Sequence, residues 1–148
     1  MHFPLPCLLL LCLAFSTVGC KFKRMVDMSD NEILRKTIFL WTAGQKSTVE
    51  KAIAFVLRNR FKANREEFGG NNIVDVCLQY WENALPEHTE LPEHVEMEMN
   101  KWLPRLWNGR MHDFTKGALY FKFPDESGDW TEGMEKTIEI SKIEFFKD

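Results

Sequence analysis

Cysteine is scarce in this chain, and where it falls removes one whole class of fold. Of four cysteines, Cys7 and Cys12 lie in an N-terminal apolar run, Cys20 closes that run, and Cys77 alone belongs to the body. If the run is removed before Cys20, no disulfide framework can staple the domain. An excess of basic charge is missing too: 19 Lys and Arg stand against 22 Asp and Glu, for a net charge of -3. Without a positive field there is no counterion release to drive binding to a polyanion, so nucleic acid is not an expected partner. Neither HExxH nor CxxC spacing occurs, and His88 and His94 are separated by an acidic, Pro-containing stretch, so no metal and no cofactor are expected. Repeats, low-complexity tracts and internal linkers are also lacking. What is present is enough for one core: 148 residues, 45% hydrophobic and 13% aromatic.

Residues Phe3 to Val18 are apolar apart from two prolines and short polar interruptions, and Ser16-Thr17-Val18-Gly19-Cys20 supplies small residues at the end. The run falls short of the ~20 residues that span a bilayer as a helix. It therefore reads as an export signal over residues 1–20, with the folded domain over 21–148. An uncleaved signal-anchor is the alternative, because the basic cluster Lys21 to Arg24 follows the apolar run instead of preceding it. Gly19-Cys20 also resembles the end of a bacterial lipobox, which would make Cys20 a lipidation site and give the chain its membrane contact. The expected location is secreted, periplasmic or in the cell envelope.

Within the body, Ser29 offers an N-cap for a first helix running to about Trp41, with Ile33, Leu34, Ile38, Leu40 and Trp41 as apolar positions. Ala43-Gly44-Gln45 breaks it. Ser47 to Glu50 has the spacing of a capping box, and Ala52, Ile53, Phe55, Val56, Leu57 and Phe61 give the second helix a broad apolar face. After the Gly69-Gly70 loop, Ile73 to Trp81 reads as a short helix that Asp75 could cap. Asn83 to Glu93 reads as a loop, and about Val95 to Asn108 as a helix with Trp102, Leu103, Leu106 and Trp107 on its buried stripe. Ala118 to Phe123 and Thr137 to Phe146 are β-branched and aromatic, which predicts a hairpin or small sheet. Helices first and strands last make an α+β single domain.

One segment stands apart: Asp113-Phe114-Thr115-Lys116-Gly117-Ala118-Leu119-Tyr120-Phe121. From the residues alone it is a turn followed by a strand, with Asp113 and Thr115 holding backbone groups and Gly117 taking a positive φ. It also resembles a motif of the SleB-type cell wall hydrolases, which act on the glycan of peptidoglycan. Further counterparts follow in that family's order: Thr42-Ala43-Gly44-Gln45, the helix from Ala52 to Leu57 ending at Asn59-Arg60, Ile73-Val74-Asp75-Val76 with Gln79, and Ile140-Ser141 with Phe145-Phe146. The resemblance spans about Glu32 to Phe146. It implies a lysozyme-like domain and a peptidoglycan glycan strand, or a cell-wall enzyme, as partner. It also implies glycan-binding roles for Gln79, Asp113, Thr115, Lys116, Gly117 and Tyr120.

The pattern breaks at its reacting group. Where the family has a glutamate that protonates the glycosidic oxygen, this sequence has Thr42, whose hydroxyl is far too weak an acid. Among acids that could take over, Glu50 reads first as the acid of the capping box and only second as a catalytic group; Glu32 and Glu66-Glu67 read as first-turn and surface charge. Lys116 replaces the first of two glycines. Cys77, in an apolar run, reads as a buried small hydrophobe, and the tryptophans as core, with Trp81 and Trp130 as the two that could stack on a sugar. Two outcomes stay open: a glycosidase or lytic transglycosylase, or a catalytically impaired relative. A secreted interaction protein on the same fold is the alternative of a different class.

Overall fold

A computed structural model of the chain describes residues 29–43, 45–78 and 90–148. The predicted signal, with Cys20, and the predicted positions Gln79, Trp81 and His88 lie outside those residues. Helices come first and strands last, and the domain is α+β.

Helix α1 spans Asp30–Thr42 and begins where Ser29 Oγ accepts the Glu32 N–H at 3.3 Å. Ile33, Leu34, Thr37 and Ile38 repeat with helical period and are buried. Helix α2, Ser47–Ala63, is the centre of the domain: Ala52 to Leu57 are buried without interruption, so this helix is covered on all sides through its middle. It ends at Asn64, whose left-handed φ of 51° turns its N–H back to the Arg60 carbonyl at 3.2 Å. A single 3₁₀ turn over Glu66–Phe68 leads to Gly69, where both conformation and space demand glycine. Its φ is +89°, and a Cβ there would lie 2.5 Å from the Asp75 carbonyl carbon. Helix α3, Ile73–Leu78, and helix α4, Glu93–Trp107, complete the helical part, and α4 carries Pro104 without breaking.

The sheet has three antiparallel strands in the order β1-β3-β2: β1 Tyr120–Lys122, β2 Glu135–Ile140 and β3 Ile143–Lys147. Ile140 pairs with Ile143, so Ser141 and Lys142 form a two-residue turn, and both take left-handed φ angles of 51° and 68°. Phe121 of β1 pairs with Phe145 of β3, and both join the core built on α2.

Two local expectations need correcting. Ser47 is not an N-cap: Lys46 holds that position, extended at φ -70° and ψ 150° or so, with no side-chain cap bond, and Ser47 is already helical. Glu50 therefore has no capping-box partner. Likewise Asp75 does not cap α3; its own N–H donates to the side chain of Asn72, which does. Both errors have one cause, since a polar residue inside the first turn has the same spacing to its neighbours as one at the cap.

Candidate functional site: a groove at the α1–α2 turn

Thr42 is the last residue of α1, and it is 1% exposed. Its hydroxyl donates to the Ile38 carbonyl at 2.6 Å, one turn back, which consumes its proton within the helix. Trp41 beside it stacks on Phe123 at 5.9 Å between ring centroids and meets Phe121 edge-on at 5.7 Å. The end of α1 is thereby fixed against β1. No acid stands at this point.

The next acid along the chain is Glu50, eight residues beyond Thr42. A hollow of about 480 Å³ opens where the end of α1, the start of α2 and the start of α4 meet. Phe39 of α1, Gln45 before α2, Ser47 and Glu50 of α2, and His94 and Glu98 of α4 border it, with Pro92 and Val95 adding apolar surface. This volume lies within the range of small-ligand sites. Partial burial raises the Glu50 carboxyl above the ordinary glutamate range, and the neighbouring Lys51 opposes the rise only in part. Glu98 goes the other way, held down by its hydrogen bond and charge interaction with Lys101 and further by Lys51. Burial thus favours the protonated form of Glu50, and Lys101 the ionised form of Glu98. The sequence singled out Glu50; it missed Glu98, Gln45 and Phe39, because no local pattern shows that α4 closes over the α1–α2 turn.

At the opposite end of α2 the Asp113 segment forms a second constellation. Asp113 Oδ1 accepts the Thr115 N–H at 2.8 Å and the Thr115 hydroxyl at 2.6 Å. Its Oδ2 accepts the Gly117 N–H at 3.0 Å and the Asn59 side-chain amide at 2.9 Å. Asn59 also donates to the Ala118 carbonyl at 3.1 Å, and Arg60 donates to the Leu119 carbonyl. The Arg60 guanidinium lies over the rings of Phe68 and Tyr120, at 4.7 Å and 5.5 Å. Burial lowers its pKa to about 10, which leaves it charged at neutral pH. Lys116 and Gly117 are exposed and both have positive φ, 57° and 81°, so the lysine occupies a backbone conformation that suits glycine. Thr115 is fully buried. Of the predicted site residues, Asp113, Thr115, Lys116, Gly117 and Tyr120 thus assemble around Asn59 and Arg60, while Glu50 alone borders the groove.

Two further expectations concern Cys77 and the tryptophans. Cys77 is buried, and burial pushes its thiol up to about 12, which keeps it protonated and inert. Trp130 is 42% exposed, whereas Trp102 is in the core. Among the described residues no group of three His, Cys, Asp or Glu could hold a metal ion, and no helix is long and apolar enough to cross a membrane.

A hollow bordered by carboxylates on a small α+β scaffold is the class of domain that the fold defines. The particular family follows from the sequence: the profile of the cell wall hydrolases matches residues 44–146, and the chain belongs to that family. Membership assigns it a hydrolase-type domain related to peptidoglycan. No curated protein and no solved structure matches the chain significantly.

Proposed function

We propose that this protein acts outside the cytoplasm on peptidoglycan glycan strands, which it holds in the groove between α1, α2 and α4, and that Glu50 is the proton donor. The observation that carries this reading is the half-buried Glu50, whose carboxyl burial raises above the ordinary glutamate range, bordering a hollow of about 480 Å³ beside the α1–α2 turn. A carboxyl whose pKa is raised by burial can hold its proton at neutral pH and release it to a glycosidic oxygen as the C–O bond breaks. Export by residues 1–20, with or without a lipid on Cys20, supplies the location.

A second reading has its own support. Thr42, which the resemblance sets at the family's acid, is buried and hydrogen-bonded within its own helix, as expected of a relative that keeps the scaffold to bind glycan without cutting it. A pelleting assay of the purified protein with insoluble peptidoglycan, followed by mass spectrometry of the supernatant, separates the readings. Released muropeptides that disappear with Glu50→Gln support the enzyme. Pelleting without release supports the binding remnant. Neither release nor pelleting removes both and leaves a protein-binding role.

A further inference from the structure

We infer that Trp130 is a second glycan contact outside the groove, an aromatic platform that takes the sugar of the strand that carries no stem peptide. This rests on the reading of the protein as one that binds peptidoglycan glycan, but not on Glu50 or the groove.

The topology makes the segment that carries Trp130 unusual. β1 and β2 are the outer strands and both run antiparallel to β3, so they are parallel to each other. A tight hairpin cannot join parallel strands, and residues 123–134 carry the chain back across the sheet without a helix or strand of their own. Connections this long and irregular are uncommon in a small domain and usually serve a function. This one is also braced. Phe123 at its start stacks on Trp41 at the end of α1. Lys122 Nζ donates to the Gly128 carbonyl at 2.7 Å, and the Phe123 N–H donates to the Glu126 carboxylate. Two turns close its second half, with the Glu132 N–H donating to the Asp129 carbonyl at 2.9 Å and the Met134 N–H to the Thr131 carbonyl at 3.1 Å.

On this braced backbone Trp130 is 42% exposed, one of two large apolar side chains among the described residues left open to water, with Met97 on α4. Its Cδ1 edge lies toward Gly128, where a Cβ would stand 4.0 Å away, so that neighbour brings no side chain to cover the ring. An indole on a backbone already fixed loses little freedom when a flat apolar surface covers it. A pyranose offers such a surface: C–H groups line its face and hydroxyls project from its rim. Asp125, Asp129 and Glu132 are exposed in the same segment and can accept from those hydroxyls, and no Lys or Arg lies between residues 123 and 134. That charge decides between the two sugars of the strand. A stem peptide brings carboxylates, which an acidic segment repels, whereas N-acetylglucosamine is neutral.

The test is fluorine NMR of the purified protein carrying fluorotryptophan, titrated with a tetramer of N-acetylglucosamine; the Trp130 signal is the one missing from Trp130→Phe. That signal should move saturably. Trp130→Ala should keep the wild-type Tm, because the side chain is exposed, and weaken tetramer binding about 5- to 30-fold, with Trp130→Tyr recovering part of the loss. At low salt a disaccharide carrying a stem peptide should bind more weakly than the N-acetylglucosamine disaccharide, and added salt should narrow the gap. Tighter binding of the stem-bearing disaccharide would overturn the choice of sugar. A Trp130→Ala variant that binds the tetramer as the wild type does, or a Trp130 signal that stays fixed while other tryptophan signals move, would overturn the inference and leave the groove reading in place. If no signal moves and the protein does not pellet with peptidoglycan, the inference and the glycan reading fall together.

Discussion

Replacing Asp113 by asparagine keeps the shape of the side chain and removes one acceptor. The carboxylate receives four hydrogen bonds, two at Oδ1 from Thr115 and two at Oδ2 from Gly117 and Asn59. An amide has one oxygen, so whichever way it turns its NH₂ group faces two donors. With the oxygen kept toward Thr115, the Gly117 N–H and the Asn59 amide both lose their partner. A hydrogen bond to a charged acceptor contributes about 1.5–3 kcal/mol, so two of them amount to roughly 3–6 kcal/mol. Gly117 is exposed and water can replace its bond, which brings the expected loss to about 2–4 kcal/mol. For a domain of this size that is a fall of roughly 10 °C in Tm. Circular dichroism during heating and a denaturant titration would measure it, and the cycle with Asn59→Ala should show a coupling of about 0.5–3 kcal/mol. Pelleting with peptidoglycan, done where the variant is still folded, should be unaffected. A variant with wild-type Tm that no longer pellets would refute the reasoning, because Asp113 would then be touching ligand instead of bracing its own loop.

The Ser141-Lys142 turn holds two side chains in left-handed backbone at a cost of about 1–2 kcal/mol each, part of which glycine would return as chain entropy. Ser141→Asn with Lys142→Gly should therefore stabilise the protein by about 1 kcal/mol, read as a higher denaturation midpoint at unchanged m value. Burial raises Glu50 above its unfolded value, so the folded state keeps that proton to higher pH than the unfolded chain does. The associated stability is present in acid and lost as pH rises through the folded pKa; Glu50→Gln should raise Tm near neutral pH and leave it unchanged well below the ordinary glutamate pKa, whereas an equal shift at both would count against the buried acid. Cys77 should resist thiol reagents at neutral pH until denaturant is added, and rapid labelling of the native protein would show that α3 opens locally.

Much of the scaffold was legible in the residues. The apolar periods of α1, α2 and α4 and the aromatic, β-branched runs near the C-terminus are long enough to fix element type, and Ser29 marks its helix start correctly. Helix α3 is short, and periodicity leaves it ambiguous; burial of Val76 and Cys77 against the core decides it. The groove was hidden for a different reason. Phe39, Glu50 and Glu98 lie far apart in the chain, and only the packing of α4 beside α2 brings them to one hollow. The Asp113 segment was recognised as important, yet residue types could not separate a bracing role from a binding one, since carboxylate, hydroxyl and glycine serve both.

Helix α2 carries Glu50 near its start and Asn59-Arg60 near its end, about 14 Å apart along a rigid rod buried through its middle. The most recognisable stretch of the chain therefore reports inheritance of a frame, while the proposed groove sits at the far end of the rod, where drift in one region need not disturb the other. A saturation library would separate into two uncorrelated populations, one lost through degradation and one abundant but silent. Chemistry on such a frame can be gained, moved or lost while the family signature persists.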